Sequence, residues 1–289
     1  MHFHLPRPVH GRRAFADRTS IIVLAMLFAA ACHQKTDQRE KTAEVTFDGA
    51  RVSDPAALRL HGERLTHVLG CTGCHGDLLQ GEQFEPEMKQ YGPLYASNLT
   101  IQVPEYSDAE LDGIVRHGVH PKRKTVWAMP AQIFQHLSNA DETALVAYLR
   151  SLRPIGKDLP PPHFNALDRK EIASGKFKPA VQLVNERKNV LPANPGEQYK
   201  LGRYITEVTC AECHGPKLEG EAGGAPNLIV AGAYSRGEFE QLITQGIPTG
   251  NRKLKPMMAS VAKYRFSHLT PHERDALYAY LKARAEQPQ

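Results

Sequence analysis

The chain has 289 residues, 41% hydrophobic and 23% charged, so it has room for two domains of ordinary size and its composition excludes a disordered protein. Its net charge is +5, but four arginines and one aspartate in residues 1–31 account for +3 of it. The remaining +2 is too small to indicate nucleic-acid binding.

The N-terminus has the pattern of an export signal. Residues 1–20 are basic, and the apolar run over 21–31 is too short to span a bilayer but typical of a secretory signal peptide. We therefore predict a signal peptide over 1–31 and a location in the bacterial periplasm. The run ends directly before Cys32, an arrangement that resembles the lipobox of bacterial lipoproteins. The resemblance implies that Cys32 is lipidated and anchors the mature chain to a membrane; the alternative is ordinary cleavage, with Cys32 incidental.

The next residues are polar, with few large apolar side chains, so we predict a flexible tether over 32–52. Asp54-Pro55 then predicts a helix start, with an N-capping side chain followed by a proline in the first turn. Gly62 lies within this helix at a cost of about 1 kcal/mol relative to alanine, which indicates a packing reason. The apolar face of the helix carries Leu58, Leu65 and Leu69.

Two motifs dominate the sequence: Cys71-Thr72-Gly73-Cys74-His75 and Cys210-Ala211-Glu212-Cys213-His214. Two thiols three residues apart, followed at once by an imidazole, form the attachment signature of a c-type haem. The sulfurs add to the vinyl groups on one edge of the porphyrin, and the imidazole then reaches the iron. We therefore predict two covalently attached haem c groups. They would be held by Cys71, Cys74, Cys210 and Cys213, with His75 and His214 as proximal iron ligands.

Three other uses of such cysteine pairs are a zinc knuckle, a disulfide and a redox dithiol. A zinc site would use all four cysteines or add histidines at ligand spacing, and a redox dithiol would follow a strand in a βαβ unit, which this sequence lacks. The immediate histidine in both copies favours haem.

The sequence around each motif is repeated. Asn194-Pro195 predicts the start of a second helix, Gly202 lies within it, and the helix leads to Cys210. Each half closes with an amphipathic helix, which begins after Ser138 in the first half and after Thr270 in the second. We predict one domain over 53–153 and another over 193–289. The proline-rich segment 154–192 between them is either a semi-rigid linker or a belt packed across both domains.

Both halves resemble class I c-type cytochromes. The resemblance implies an all-α fold of two tandem domains, in which an N-terminal helix crosses a C-terminal one. It also implies that a small residue on the first helix admits an aromatic of the last, which would pair Gly62 with Tyr148 and Gly202 with Tyr280. In that family a backbone carbonyl accepts the proximal imidazole N–H. The acceptors would be Ser97 and Pro226.

A methionine as the sixth iron ligand favours electron transfer, since its soft thioether stabilises ferrous iron and blocks small ligands. Met88 is too near its motif to reach across the ring, and the family resemblance assigns Met129, in a Met-Pro turn, to the first haem. For the second haem we expect Met258, with the adjacent Met257 as the alternative. His117 and His120 are the histidine alternatives to Met129.

The whole chain is similar to the dihaem cytochrome subunits of periplasmic dehydrogenases. The resemblance implies an electron carrier without substrate chemistry of its own. Its redox partners would be a dehydrogenase or quinol-oxidising donor and a cytochrome or oxidase acceptor. The rival hypotheses are a dihaem enzyme, either a peroxidase or a sulfur-compound dehydrogenase, and a haem-based sensor, for which no signalling domain is visible. Basic residues precede both distal methionines, and these are Lys122, Arg123 and Lys124 in the first half and Arg252, Lys253 and Lys255 in the second.

Overall fold

The computed structural model describes residues 44–84, 88–220, 224–250 and 252–287. The predicted signal peptide and Cys32 lie outside these residues. Within them, no helix is both long enough and apolar enough to cross a bilayer.

The described residues are mainly helical, as the predicted all-α class requires. The α-helices are α1 Pro55–Val68, α2 Cys71–His75, α3 Leu99–Gln102, α4 Asp108–His117, α5 Ala131–Phe134, α6 Asn139–Ser151, α7 Ala166–Ala173, α8 Ala180–Arg187, α9 Lys200–Ile205, α10 Ala211–His214, α11 Arg236–Gln245, α12 Pro256–Tyr264 and α13 Pro271–Ala285. Short 3₁₀ turns cover Val103–Glu105, Glu197–Tyr199, Leu228–Ala233 and Phe266–His268. Two antiparallel ribbons pair β1 Glu82–Phe84 with β2 Leu94–Ala96, and β3 Val119–His120 with β4 Lys124–Thr125.

Each half is built on the crossing of its first and last long helices, α1 with α6 and α9 with α13. A Cβ atom on Gly62 would lie 2.0 Å from the carbonyl oxygen of Ala144 and 2.8 Å from the Cβ of Tyr148. The second crossing repeats this contact, since a Cβ on Gly202 would lie 2.5 Å from the Cβ of Tyr280. Both predicted glycine–tyrosine pairs are therefore confirmed, and glycine is required because the helix backbones touch.

The helix caps are partly as predicted. The side chain of Asp54 accepts from the N–H of Ala57, and Ser138 and Thr270 cap α6 and α13 in the same manner. The predicted start at Asn194-Pro195 is wrong, because the first helical turn is the 3₁₀ segment Glu197–Tyr199. Asn194 instead accepts from the N–H of Gly196, which forms a local turn.

The two haem motifs are joined to their helices differently. In the first half the left-handed Gly70, with φ of 81°, separates α1 from the motif. In the second half α9 continues through the π-helical turn Thr206–Cys210 directly into α10. The second half therefore enters its motif without the glycine break of the first half.

Segment 154–192 packs as a belt, so of the two alternatives the semi-rigid linker is wrong. Its helix α7 supplies Asp168, whose buried carboxylate accepts from the N–H of Gly92 at 2.8 Å. Phe164 packs its ring 4.9 Å from that of Trp127 in the first half. At the other end of the belt, the carbonyl of Pro192 accepts from Arg203 in the second half at 3.0 Å.

The predicted flexible tether is also wrong for its described part, residues 44–52. Phe47 is only 1% exposed and its ring lies 5.3 Å from that of Tyr204. Its backbone N–H donates to Asp141 at 3.1 Å, and the next N–H, of Asp48, donates to Glu273 at 2.8 Å. This segment is held between the two halves, because it satisfies a buried carboxylate from each.

The two halves exchange hydrogen bonds at equivalent positions of the repeat. Asp141 and Glu273 each lie three residues after the cap of a closing helix, and both are fully buried. The hydroxyl of Tyr204 donates to Asp141 at 2.7 Å, and the guanidinium of Arg64 donates to Glu273 at 2.7 Å. Tyr204 and Arg64 themselves stand two residues after the helix-crossing glycines. The halves therefore join through a pseudo-symmetric interface into one unit beginning at residue 44.

We predict that Gly62→Ala and Gly202→Ala each destabilise the protein by at least about 2 kcal/mol, because the new Cβ overlaps a helix backbone that cannot move without opening the crossing. Gly113→Ala is the matched control. It lies within α4 with its nearest neighbour 3.6 Å away, so it should be stabilising by about 0.5–1 kcal/mol. Denaturant unfolding measures all three, and equal effects would refute the close-crossing argument.

Candidate functional site

The first candidate site is built around His75, at the end of the short helix α2. Its Nδ1 lies 2.7 Å from the carbonyl oxygen of Ser97. A carbonyl only accepts, so Nδ1 carries the proton and Nε2 keeps its lone pair for a metal. Burial lowers the pKa of His75, although the Ser97 carbonyl acts in the opposite direction. The ring is therefore held neutral and oriented as an iron ligand must be.

The second candidate site repeats this arrangement with different residues. The Nδ1 of His214 lies 2.7 Å from the carbonyl oxygen of Pro226, and burial lowers the pKa of this histidine as well. Both predicted carbonyl acceptors are confirmed. A serine replaces the proline in the first half without loss, because the acceptor is a backbone atom.

The motif thiols lie in surroundings that disfavour the thiolate. Burial raises the pKa of Cys71 to about 12, against the nearby positive charge of Arg265. Burial also raises the pKa of Cys210 to about 11, opposed by the Thr209 hydroxyl and by Arg265. A zinc site or a redox dithiol needs a stabilised thiolate, whereas a thioether needs none. Buried, uncharged thiols are compatible with thioether attachment of a haem.

Two adjoining cavities, of about 280 Å³ and 100 Å³, flank His75. The walls common to both are largely apolar and include Leu69, Cys71, His75, Met129 and Phe134. Cys74 lines the larger cavity. An apolar slot that brings together an imidazole, a thioether and two thiols fits a haem, so the structure gathers all four residues predicted for the first site.

The histidine alternatives to Met129 lie in different places. His117 is exposed and pairs with Asp112 at 3.4 Å, and it does not line either cavity. His120 is buried on the wall of the smaller cavity, where its Nε2 lies 2.7 Å from Arg123. Burial, then the charges of Arg123 and Lys122, lower the pKa of His120 to about 4. His120 is thus a neutral acceptor already engaged by Arg123, which leaves Met129 as the better axial candidate.

In the second half, burial separates the two adjacent methionines. Met257 is 63% exposed, whereas Met258 is partly buried and packs against the core. Both lie in the first turn of α12, so the helix turns one side chain outward and the other inward. The structure therefore favours Met258 as the distal ligand.

Some residues of the sites were not anticipated from sequence. Pro161 and Phe164 of the belt line the larger cavity, and so does Glu212, which belongs to the second motif. The proline-rich composition of the belt did not indicate which of its residues would line a cavity. Glu212 lies between the two cysteines of the second motif, but no feature of the neighbouring sequence indicated that it lines the cavity of the first site.

Comparison with known proteins supports this assignment. A family model described as cytochrome c matches the chain twice, over residues 60–153 and 199–285. The chain is 25% identical over 256 residues to a "Diheme cytochrome c-type" protein of Cereibacter sphaeroides, which covers 76% of this chain and 84% of that protein.

Two further relatives are named as dehydrogenase subunits. The chain is 26% identical over 197 residues to "Alcohol dehydrogenase (quinone), cytochrome c subunit" of Gluconacetobacter polyoxogenes, covering 62% of this chain and 41% of the relative. It is 22% identical over 252 residues to "Fructose dehydrogenase cytochrome subunit" of Gluconobacter japonicus, covering 77% and 51%. The chain thus spans about half or less of the length of these two relatives.

We predict that Met258→Ala abolishes the weak long-wavelength band of methionine-bound ferric iron at the second haem, because the inward-facing thioether is lost. Met257→Ala is the matched control and should leave the band unchanged, since that side chain points to solvent. Optical spectra of the two oxidised variants measure this. Loss of the band in Met257→Ala alone would show that the ligand is Met257.

Proposed function

The chain belongs to the cytochrome c family, and on this premise we propose that it is a periplasmic electron carrier that links a dehydrogenase or quinol-oxidising donor to a cytochrome or oxidase acceptor. The chain carries two covalently bound haem c groups and transfers electrons without being catalytic itself. The observation that carries the proposal is that each half holds a carbonyl-oriented histidine and a methionine packed against the core, and that in the first half the two line the same cavities.

In this proposal the cysteines and the histidine of each motif have different roles. Cys71 and Cys74 hold the first haem by thioether bonds, and Cys210 and Cys213 hold the second. His75 and His214 supply a neutral Nε2 to the iron, while the Ser97 and Pro226 carbonyls hold each ring in that orientation. The haem supplies one-electron exchange between ferric and ferrous iron.

Met129 and Met258 then decide the type of reaction. A thioether in the sixth position stabilises ferrous iron and keeps peroxide and small gases from the metal. The rival hypothesis, a dihaem peroxidase or sulfur-compound dehydrogenase, requires an open iron beside an acid–base group. Among the described residues that line the two cavities, His120 of the smaller cavity is the histidine other than His75, and its bond to Arg123 engages the nitrogen that such a role would need. The carrier is therefore the better-supported function.

The proposed donor follows from the relatives, several of which are named as cytochrome subunits of dehydrogenases. Contact with a partner would use the two basic segments that precede the distal methionines, 122–124 and 252–255, which we call the distal rims. Their lysines and arginines are all exposed. Lys122 lies 5.1 Å above the ring of Tyr106, and Arg252 lies 5.9 Å above that of Tyr234, so the two rims are built alike. We propose that these rims steer an acidic partner.

We predict that the reduced protein transfers electrons to an acidic acceptor at a rate that falls with ionic strength, because added salt screens the basic rims. Lys124→Gln combined with Lys253→Gln should lower the rate at low salt by about threefold. Lys200→Gln, which removes an exposed charge outside both rims, is the control. Stopped-flow mixing measures the rate.

A rate independent of salt would refute electrostatic steering by the rims but would not affect the proposal that the protein is an electron carrier. Parallel assays with peroxide and with thiosulfate address the rival function. Turnover of either substrate at enzymic rates would replace the carrier by an enzyme.

We further propose that Cys32 is lipidated and anchors the protein to a membrane, since it directly follows the apolar run of the signal peptide. The lipoprotein modification adds several acyl chains, enough for stable attachment. We predict that Cys32→Ser moves the protein from the membrane to the soluble periplasmic fraction. Fractionation and N-terminal mass analysis measure this, and a soluble wild-type protein with another N-terminus would contradict it.

A further inference from the structure

Arg265, the residue that follows α12, contacts the backbone just before the first haem-attachment motif and a side chain within the second. Its Nε and Nη2 donate to the carbonyl oxygens of Val68 and Leu69, at 3.2 and 3.1 Å. These carbonyls stand at the end of α1, immediately before the first motif. Its Nη1 donates to the carboxylate of Glu212, in the second motif, at 2.8 Å. One guanidinium therefore links the start of one motif to the middle of the other.

The backbone of the first motif is shaped to receive this side chain. A Cβ on Gly70 would lie 2.7 Å from the Cζ of Arg265, and the φ of Gly70 is +81°. Glycine thus permits both the turn and the close approach of the guanidinium. The planar fork suits two parallel carbonyls and a carboxylate, which a lysine ammonium cannot match. This geometry indicates a positioned contact and not a surface ion pair.

The charge on Arg265 acts on both motifs. The side chain is 14% exposed, so its interactions are less screened than those of a surface arginine. The same charge opposes the effect of burial on the thiol pKa values of Cys71 and Cys210. Glu212 contributes the opposite charge and also lines the first cavity. The first cysteine of each motif thus has the same cation beside it.

We propose that Arg265 is the junction of the two haem sites. It holds the two attachment motifs in a fixed position relative to each other, and it raises the reduction potentials of both haems. The inference rests on the proposed attachment of haem at both motifs. A nearby cation favours ferrous iron, because reduction removes one positive charge from the haem. The nearby carboxylate of Glu212 has the opposite effect. Arg265 is therefore a positioning residue that also shifts the reduction potentials of both haems.

The test is a spectroscopic redox titration of the purified dihaem protein. Arg265→Gln should lower both midpoint potentials, each by about tenfold in the ferric–ferrous equilibrium, or about 59 mV for one electron. Arg265→Lys should leave both midpoint potentials close to the wild-type values, because the positive charge remains. The lysine variant should still lose stability in denaturant, because the fork is lost. Glu212→Gln should raise both potentials, and it carries the test if the arginine variants do not fold.

Arg274→Gln is the matched control. Arg274 is 16% exposed and pairs with Glu240 at 2.7 Å, and its other described partner is the carbonyl of Leu269. Its replacement should leave both potentials unchanged. A shift as large as that of Arg265→Gln would mean that any buried arginine has this effect, and would overturn the inference.

Mass analysis of the wild type separates the possible failures. Fewer than two attached haems in the wild type would refute the proposed attachment. Two attached haems, with potentials that Arg265→Gln and Glu212→Gln leave unchanged, would refute the junction alone. A shift confined to one haem would also overturn the junction, because the proposal requires an effect on both.

Discussion

The structure depends on two buried carboxylates, each of which accepts a hydrogen bond from the opposite half of the chain. Asp141 and Glu273 are fully buried, and each receives a donor from the opposite half of the chain, Tyr204 for the first and Arg64 for the second. A buried carboxylate that loses a hydrogen-bond donor is destabilised by about 1–3 kcal/mol. If the halves were separated, Asp141 would keep His61 and Ser138, and Glu273 would keep the N–H of Thr270, but each would lose the donor from the opposite half. The tandem repeat is consequently one structural unit and not two domains on a string.

This interface determines where the haem sites lie. Because α1 carries both Arg64 and the carbonyls before the first motif, docking α1 against the second half brings that motif to Arg265. The imidazoles of His67 and His268 stack 4.2 Å apart in the same contact. The carboxylate of Glu212 then reaches the wall of the first cavity. The interface that stabilises the fold thus also brings the two haem-attachment motifs close to the same guanidinium.

Local signals in the sequence predicted the features that depend on a few neighbouring residues. Both Cys-x-x-Cys-His motifs and the caps at Asp54, Ser138 and Thr270 are such cases. The glycine–tyrosine pairs at the helix crossings were implied instead by the resemblance to class I cytochromes. The choice of Met258 over Met257 required the structure, because adjacent residues have the same local context. Phe47 and the interface were missed, and the belt was left as one of two alternatives, for a further reason. Their contacts join residues far apart in the chain, and polar or proline-rich composition alone predicts flexibility.

The two halves fold as one unit, and the single tryptophan of the chain offers a direct test of this. Trp127 lies on the wall of the first cavity, so its fluorescence reports the first half, whereas far-UV circular dichroism reports the helices of both. Denaturant unfolding of the dihaem protein should give coincident transitions by the two probes, because neither half is stable without the other. Transitions at different denaturant concentrations, or a dichroism curve with two steps, would contradict this account.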